Sequence, residues 1–130
     1  MLITVDDLYS INGVKRIVFG KEKNINNFYV TELFGLAIDK INENCCLISA
    51  IESVNALNVC KIKKGVAYVI CQATKVNKSI RELAKKYQIS LFTFEGTSVE
   101  LLYKIFKFQE HKNENIDWLF VFNCCRCNRI

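Results

Sequence analysis

Three short apolar runs constrain this chain more than any other feature: 45-CCLISAI-51, 66-VAYVIC-71 and 89-ISLFTF-94. A strand with one wet face alternates apolar and polar residues, because successive side chains point to opposite faces. A run that is apolar almost throughout suits a strand covered on both faces, as in a parallel sheet between helices. Parallel strands need crossover connections, and helical signals lie where those connections would fall. Residues 53–63 place Val54, Leu57 and Cys60 on one side. In 79–87, Ile80, Leu83, Ala84 and Tyr87 follow i, i+3, i+4, i+7 spacing, and Lys78, Arg81, Lys85 and Lys86 take the outside.

The flanking segments extend the alternation. Thr4 and Asp7 are spaced as a capping box that opens a helix to about Ile11, and Gly13 ends it. Val14–Phe19 reads as a strand, 20–27 as a polar loop, and Phe28–Val30 as a short strand. Leu33, Leu36, Ala37 and Ile41 predict a helix from Thr31 to near Asn42. Gly65 is placed to end the 53–63 helix from the C′ position. Ser79 with Glu82, and Thr97 with Glu100, are spaced as two further capping boxes, the last opening a helix to about Phe108. The expected fold is α/β: a single domain with a largely parallel sheet of about four to five strands flanked by helices. It should occupy residues 1–108. Residues 109–130 are a polar linker, QEHKNEN, followed by the apolar run IDWLFVF and a cysteine-rich end, NCCRCNRI. The apolar run Ile116–Phe122 reads as an added edge strand, a partner surface or an aggregation-prone tail.

At 130 residues and 51% hydrophobic, the chain suits one domain with a real core. The net charge of +5 comes mostly from lysine, 14 against 4 arginines. Readers of nucleic acid lean on arginine forks, so this balance does not favour nucleic acid as the partner; a weak nucleic-acid binder stays as an alternative. The start MLITVDDLYS lacks a basic region followed by a long apolar run, and no stretch approaches a membrane span. A cytoplasmic protein is expected. Seven cysteines, an odd number, suit reduced thiols better than a disulfide framework.

Several chemistries are disfavoured by the residues. A P-loop needs Gly-x4-Gly-Lys-Ser/Thr, and the nearest stretch, 13-GVKRIVFGKE-22, has the wrong spacing and a strand-like middle. The one histidine, His111, falls in the polar linker, which leaves Ser–His or Cys–His pairs without a base. Asp6, Asp7, Glu52, Glu82, Glu95 and Glu100 fall at helix starts, where the helix dipole accounts for them. Cys124, Cys125 and Cys127 are crowded near the end and make a weak metal or thiol candidate. Cys45, Cys46, Cys60 and Cys71 read as small core residues. In a parallel sheet ligands sit beyond the carboxyl ends of the strands. The residues expected to line that edge are Ser49, Glu52, Ser53, Thr74, Thr93, Thr97 and Ser98, with Gly96 allowing close approach. The competing reading is that Ser53 and Thr97 only cap their own helices.

From about Leu2 to Phe108 the chain resembles the DRTGG domain family. The residues that carry the likeness are 29-YVTEL-33, 47-LISAIESVNAL-57, 65-GVAYVIC-71, Ile80, 89-ISLFTF-94 and 97-TSVEL-101. The family's Thr-Gly-Gly is replaced by 26-NNF-28, its Thr-His by Ala50-Ile51, and a proline by Ser90. The resemblance implies a fold similar to the N-terminal domain of HPr kinase, a regulatory role and self-association. The expected function is therefore a non-enzymatic regulatory domain that needs no cofactor. It would act as a homodimer or on a partner protein, and a nucleotide is the expected class of ligand. A metal or thiol module on the cysteine tail is the alternative.

Overall fold

The computed structural model describes residues 3–112. Its elements run β1 (Ile3–Thr4), α1 (Val5–Tyr9), β2 (Val14–Val18), β3 (Asn24–Ile25), β4 (Asn27–Val30), α2 (Phe34–Ala37), β5 (Cys45–Ser49), α3 (Val54–Ile62), β6 (Ala67–Cys71), α4 (Lys78–Tyr87), β7 (Ser90–Phe94) and α5 (Ser98–Lys112). Five strands form one sheet in the order β2-β7-β6-β5-β4. Strands β4 to β7 are parallel, and β2 runs antiparallel along β7. The fold is α/β with a mostly parallel five-stranded sheet, as the apolar runs predict.

Every residue of β5, β6 and β7 is buried. Alternation decides which face each one serves. Cys45, Leu47, Tyr68, Ile70 and Leu91 pack with α2, α3 and α4, through residues such as Phe34, Leu57 and Ile80. Cys46, Ile48, Ala67, Val69, Phe92 and Phe94 pack with α1, the β1–β3 ladder and α5, through Leu8, Ile25, Leu101 and Ile105. From β4 to β7 the chain steps across the sheet in one direction. Crossovers of one hand then place all three connecting helices on one face, which leaves α1 and α5 to cover the other.

Several boundaries differ from expectation for local reasons. The helix expected from Thr31 to Asn42 is only Phe34–Ala37, because Phe34, Ala37 and Ile41 face the core while Leu33 and Leu36 are 62% and 66% exposed. Residues 24–25 of the expected loop pair with Ile3 and Thr4, a ladder too short to leave a periodic signal. Ser79 and Glu82 form no capping box: α4 starts at Lys78 behind Asn77, and Glu82 pairs with Lys78 at 3.7 Å. At the end of α3 the left-handed residue is Lys64 (φ 58°), not Gly65. The N–H groups of Gly65 and Lys64 donate to the carbonyls of Cys60 and Lys61, which closes the helix end. Val54, expected on one side of α3 with Leu57 and Cys60, is exposed while those two are buried. Helix α5 continues through Lys112, with Gln109 buried and His111 exposed on it. The remaining part of the expected linker and tail, including Ile116–Phe122, lies outside the described residues. No helix among the described residues is long and apolar enough to cross a membrane.

Two residues that meet just before β7, Gly20 and Gln88, test this packing with opposite signs. A Cβ on Gly20 would lie 2.3 Å from the Gln88 carbonyl oxygen, so Gly20→Ala should lower stability by about 1–3 kcal/mol. Gln88 ends α4 at φ 59°. Gln88→Gly should raise stability by about 0.5–1 kcal/mol, the relieved left-handed cost being offset in part by glycine's freer unfolded chain. Denaturant midpoints of the two variants read both changes.

Candidate functional site

Strands β4, β5, β6 and β7 all end on one edge of the sheet, and the junctions that follow them are bonded to one another. Ser49 is buried; its hydroxyl donates to Glu32 Oε2 at 2.5 Å and accepts the Ile51 N–H at 3.0 Å. The other Glu32 oxygen accepts the Ala50 N–H at 3.2 Å. Glu52 reaches the next junction, where Oε2 accepts the Asn77 N–H at 2.9 Å. The Gln72 N–H donates to the Gly96 carbonyl at 3.0 Å, which ties β6 to the loop after β7. Each crossover is therefore held by its neighbour.

The expected site residues divide according to these roles. Ser53 caps α3 by accepting the Asn55 N–H at 3.0 Å. Thr97 and Glu100 form a reciprocal box: the Thr97 hydroxyl accepts the Glu100 N–H at 3.2 Å, and Glu100 Oε1 accepts the Thr97 N–H at 3.0 Å. Gly96 makes room for it, since a Cβ there would meet the Phe94 ring at 2.7 Å and the Glu100 carboxyl at 3.2 Å. Thr93 is buried within β7. Thr74 is exposed and Ser98 is half-buried. Thr74, Thr93 and Ser98 are the three hydroxyls of this set that neither cap a helix nor bridge two junctions.

Two participants were not visible as site residues in the sequence. Glu32 looked like a helix residue. Tyr68 looked like core, and most of it is core. Its hydroxyl, however, emerges at the carboxyl edge, donates to the Ile51 carbonyl and accepts the Ser53 N–H at 3.2 Å. The one signal was a tyrosine in an otherwise apolar buried run, because a buried phenol needs a partner. Burial pushes this phenol well above its usual range.

The inner cysteines are chemically quiet. Burial raises the Cys45 thiol to about 11, and raises Cys46, Cys60 and Cys71 as well. They are protonated near neutrality and poor nucleophiles. No group of three or more potential metal ligands occurs among the described residues; Cys124, Cys125 and Cys127 lie outside them. A cleft of about 200 Å³ opens at the opposite edge, where β5, β6 and β7 begin.

No protein-family model and no curated protein matches this chain. Among solved structures it is similar to the crystal structure of the CBS and DRTGG domains of the regulatory region of a Clostridium perfringens pyrophosphatase, complexed with the activator diadenosine tetraphosphate. The TM-score is 0.64 at 16% identity, over 78% of this chain and 45% of that one. This chain thus spans less than half of that chain's length. The likeness establishes a shared α/β fold.

Three measurements test this edge. Tyr68→Phe leaves the Ile51 carbonyl and the Ser53 N–H without their partner and should cost about 1–3 kcal/mol in an unfolding titration. Peptide mapping after iodoacetamide treatment should find Cys45, Cys46, Cys60 and Cys71 unlabelled in the folded chain and labelled in denaturant. The Thr97 N–H and hydroxyl hold the Glu100 carboxyl below its usual value of 4.5. Its cap therefore stabilises the fold above that pH and fades on further acidification. Glu100→Gln should flatten that part of the stability profile.

Proposed function

We propose that this chain is a DRTGG-like regulatory domain without chemistry of its own, which associates with a second copy of itself and senses a nucleotide. The observation that carries this reading is the fold, shared with a regulatory region whose crystal structure holds a nucleotide activator. The resemblance of 29-YVTEL-33, 47-LISAIESVNAL-57 and 97-TSVEL-101 to the DRTGG family points the same way. What supports association is the surface around β4, an edge strand of the sheet. Leu33 and Leu36 are exposed one helical turn apart, and Val30, Ile51 and Val54 are exposed as well. Exposed apolar side chains near a sheet edge that is unpaired among the described residues are a usual mark of an interface.

The ligand site in this reading is the carboxyl edge, from Ser49, Glu52 and Ser53 to Thr74, Thr93, Thr97 and Ser98. Its carboxylates, Glu32, Glu52 and Glu95, outnumber Lys75. Such an edge suits the sugar hydroxyls and base amino group of a nucleotide, which donate hydrogen bonds, better than its phosphates.

Calorimetry of the intact chain with adenosine and with diadenosine tetraphosphate, and sedimentation of the same samples, test both halves. Binding should weaken about fivefold in Thr74→Ala and in Ser98→Ala, the loss of one ordinary hydrogen bond each. Leu33→Lys,Leu36→Lys should convert a dimer to monomer without lowering the melting temperature. A monomeric wild-type chain that binds neither compound would overturn the reading.

A further inference from the structure

The cleft at the amino edge has a different chemistry from the opposite side. Lys21 and Lys23 approach from the segment after β2, and Lys61 and Lys64 approach from the end of α3. One carboxylate, Glu43, shares the lining, which leaves three formal positive charges uncompensated (four lysines less one glutamate). None of the four lysines ion-pairs with a carboxylate among the described residues; the pairs present are Arg16–Asp6, Lys78–Glu82 and Lys107–Glu110. Tyr87 forms part of the wall, with Lys61 Nζ 5.6 Å from its ring centroid.

Helix dipoles account for only part of this charge. Helices α3 and α4 end here, and cations are favoured at helix C-termini. That explains Lys61, in the last turn of α3. It does not explain Lys21 and Lys23, which belong to no helix. The carbonyls of Cys60, Lys61, Ala84 and Lys85 are already taken by the N–H groups of Gly65, Lys64, Ile89 and Gln88. The side chains of these lysines are therefore not needed to cap them. Lys64 adds an independent observation. It stands at φ 58°, a conformation that glycine adopts at little cost, yet a lysine stands there and lines the cleft. Backbone strain retained at a residue that lines a cavity is a pointer to function.

Size narrows the ligand. About 200 Å³ is below the roughly 300–1,000 Å³ of sites that take whole drug-sized molecules. It has room for a small, multiply charged group. Lysine ammonium groups bind phosphates as point charges. We propose that this amino-edge cleft is a binding site for a small polyphosphate anion of the diphosphate class, held by Lys21, Lys23, Lys61 and Lys64. The diphosphate can be inorganic or the tail of a nucleotide. The site lies a strand's length, roughly 17 Å, from the carboxyl edge and stands independently of the nucleotide reading given there.

The test is calorimetry of the intact chain with inorganic pyrophosphate, with ATP and with sulfate at one ionic strength. Pyrophosphate should give a saturable isotherm that sulfate does not reproduce; ATP binding the same site identifies a nucleotide-borne source, and pyrophosphate alone an inorganic one. Lys21→Ala,Lys23→Ala should weaken pyrophosphate binding about tenfold or more. Lys85→Ala,Lys86→Ala, which removes the same charge from α4 outside the cleft, should leave it unchanged. Lys64→Gly should raise the melting temperature and still weaken binding, a pairing that misfolding cannot produce. Binding that sulfate matches, or that the two double variants weaken equally, would overturn the site and show only general attraction to a basic chain. Unchanged adenosine binding in Lys21→Ala,Lys23→Ala would keep this site distinct from the carboxyl edge.

Discussion

The rest of the structure depends on the burial of β5, β6 and β7 from both sides. With no water on either face, their backbone groups must bond within the sheet and their side chains must be apolar or individually satisfied. That requirement places α2, α3 and α4 over Leu47, Ile70 and Leu91, and α1 with α5 over Ile48, Val69 and Phe92. Polar chemistry is left with the two ends of the strands. Apart from Thr93, buried within β7, the few polar groups that enter the sheet do so at its margin. Ser49 is matched to Glu32, Ser90 accepts the Gly20 N–H, and Tyr68 carries its hydroxyl out to the Ile51–Ser53 turn. No buried side-chain nitrogen or oxygen among the described residues lacks a partner.

The two ends have opposite characters. At the carboxyl edge, Glu32 and Glu52 each reach from one crossover to the next, so carboxylates fill the backbone donors that an anionic ligand would otherwise find there. At the amino edge, the helix ends are closed by their own N–H groups, and lysines from separate segments converge on a cleft. In doubly wound folds the carboxyl edge is the usual place to look for phosphate. Here the lysines that line a cleft lie at the other end.

Much of the scaffold was legible because burial on two faces leaves a strong mark on composition. Strands β5, β6 and β7 fall within CCLISAI, VAYVIC and ISLFTF, the first ending at Ser49 short of the exposed Ala50 and Ile51, and Thr4–Asp7 and Thr97–Glu100 are capping boxes with the expected partners. Local signals failed where a tertiary contact outweighed them. Ser79 and Glu82 have the right spacing for a cap, but Glu52 holds the Asn77 N–H and α4 begins earlier. Leu33 and Leu36 carry a helical period that faces outward, because no strand or helix among the described residues covers the edge strand beside them. The short β1–β3 ladder rests on two residues per strand, below what any periodicity can reveal.

The sequence by itself determined that this is an α/β domain with a buried parallel sheet, that its inner cysteines belong to the core, and that hydroxyl-bearing junctions follow its strands. Those features are written in stretches of five to ten residues, where side-chain period and helix-cap chemistry act locally. Only the tertiary structure decided which of those junctions bond to one another, that Tyr68 serves the carboxyl edge, and that Lys21, Lys23, Lys61 and Lys64 share one cleft. The reason is sequence separation. Lys23 and Lys61 come together because the chain crosses the whole sheet between them, and Coulomb energy depends on distance in space, which no local pattern records.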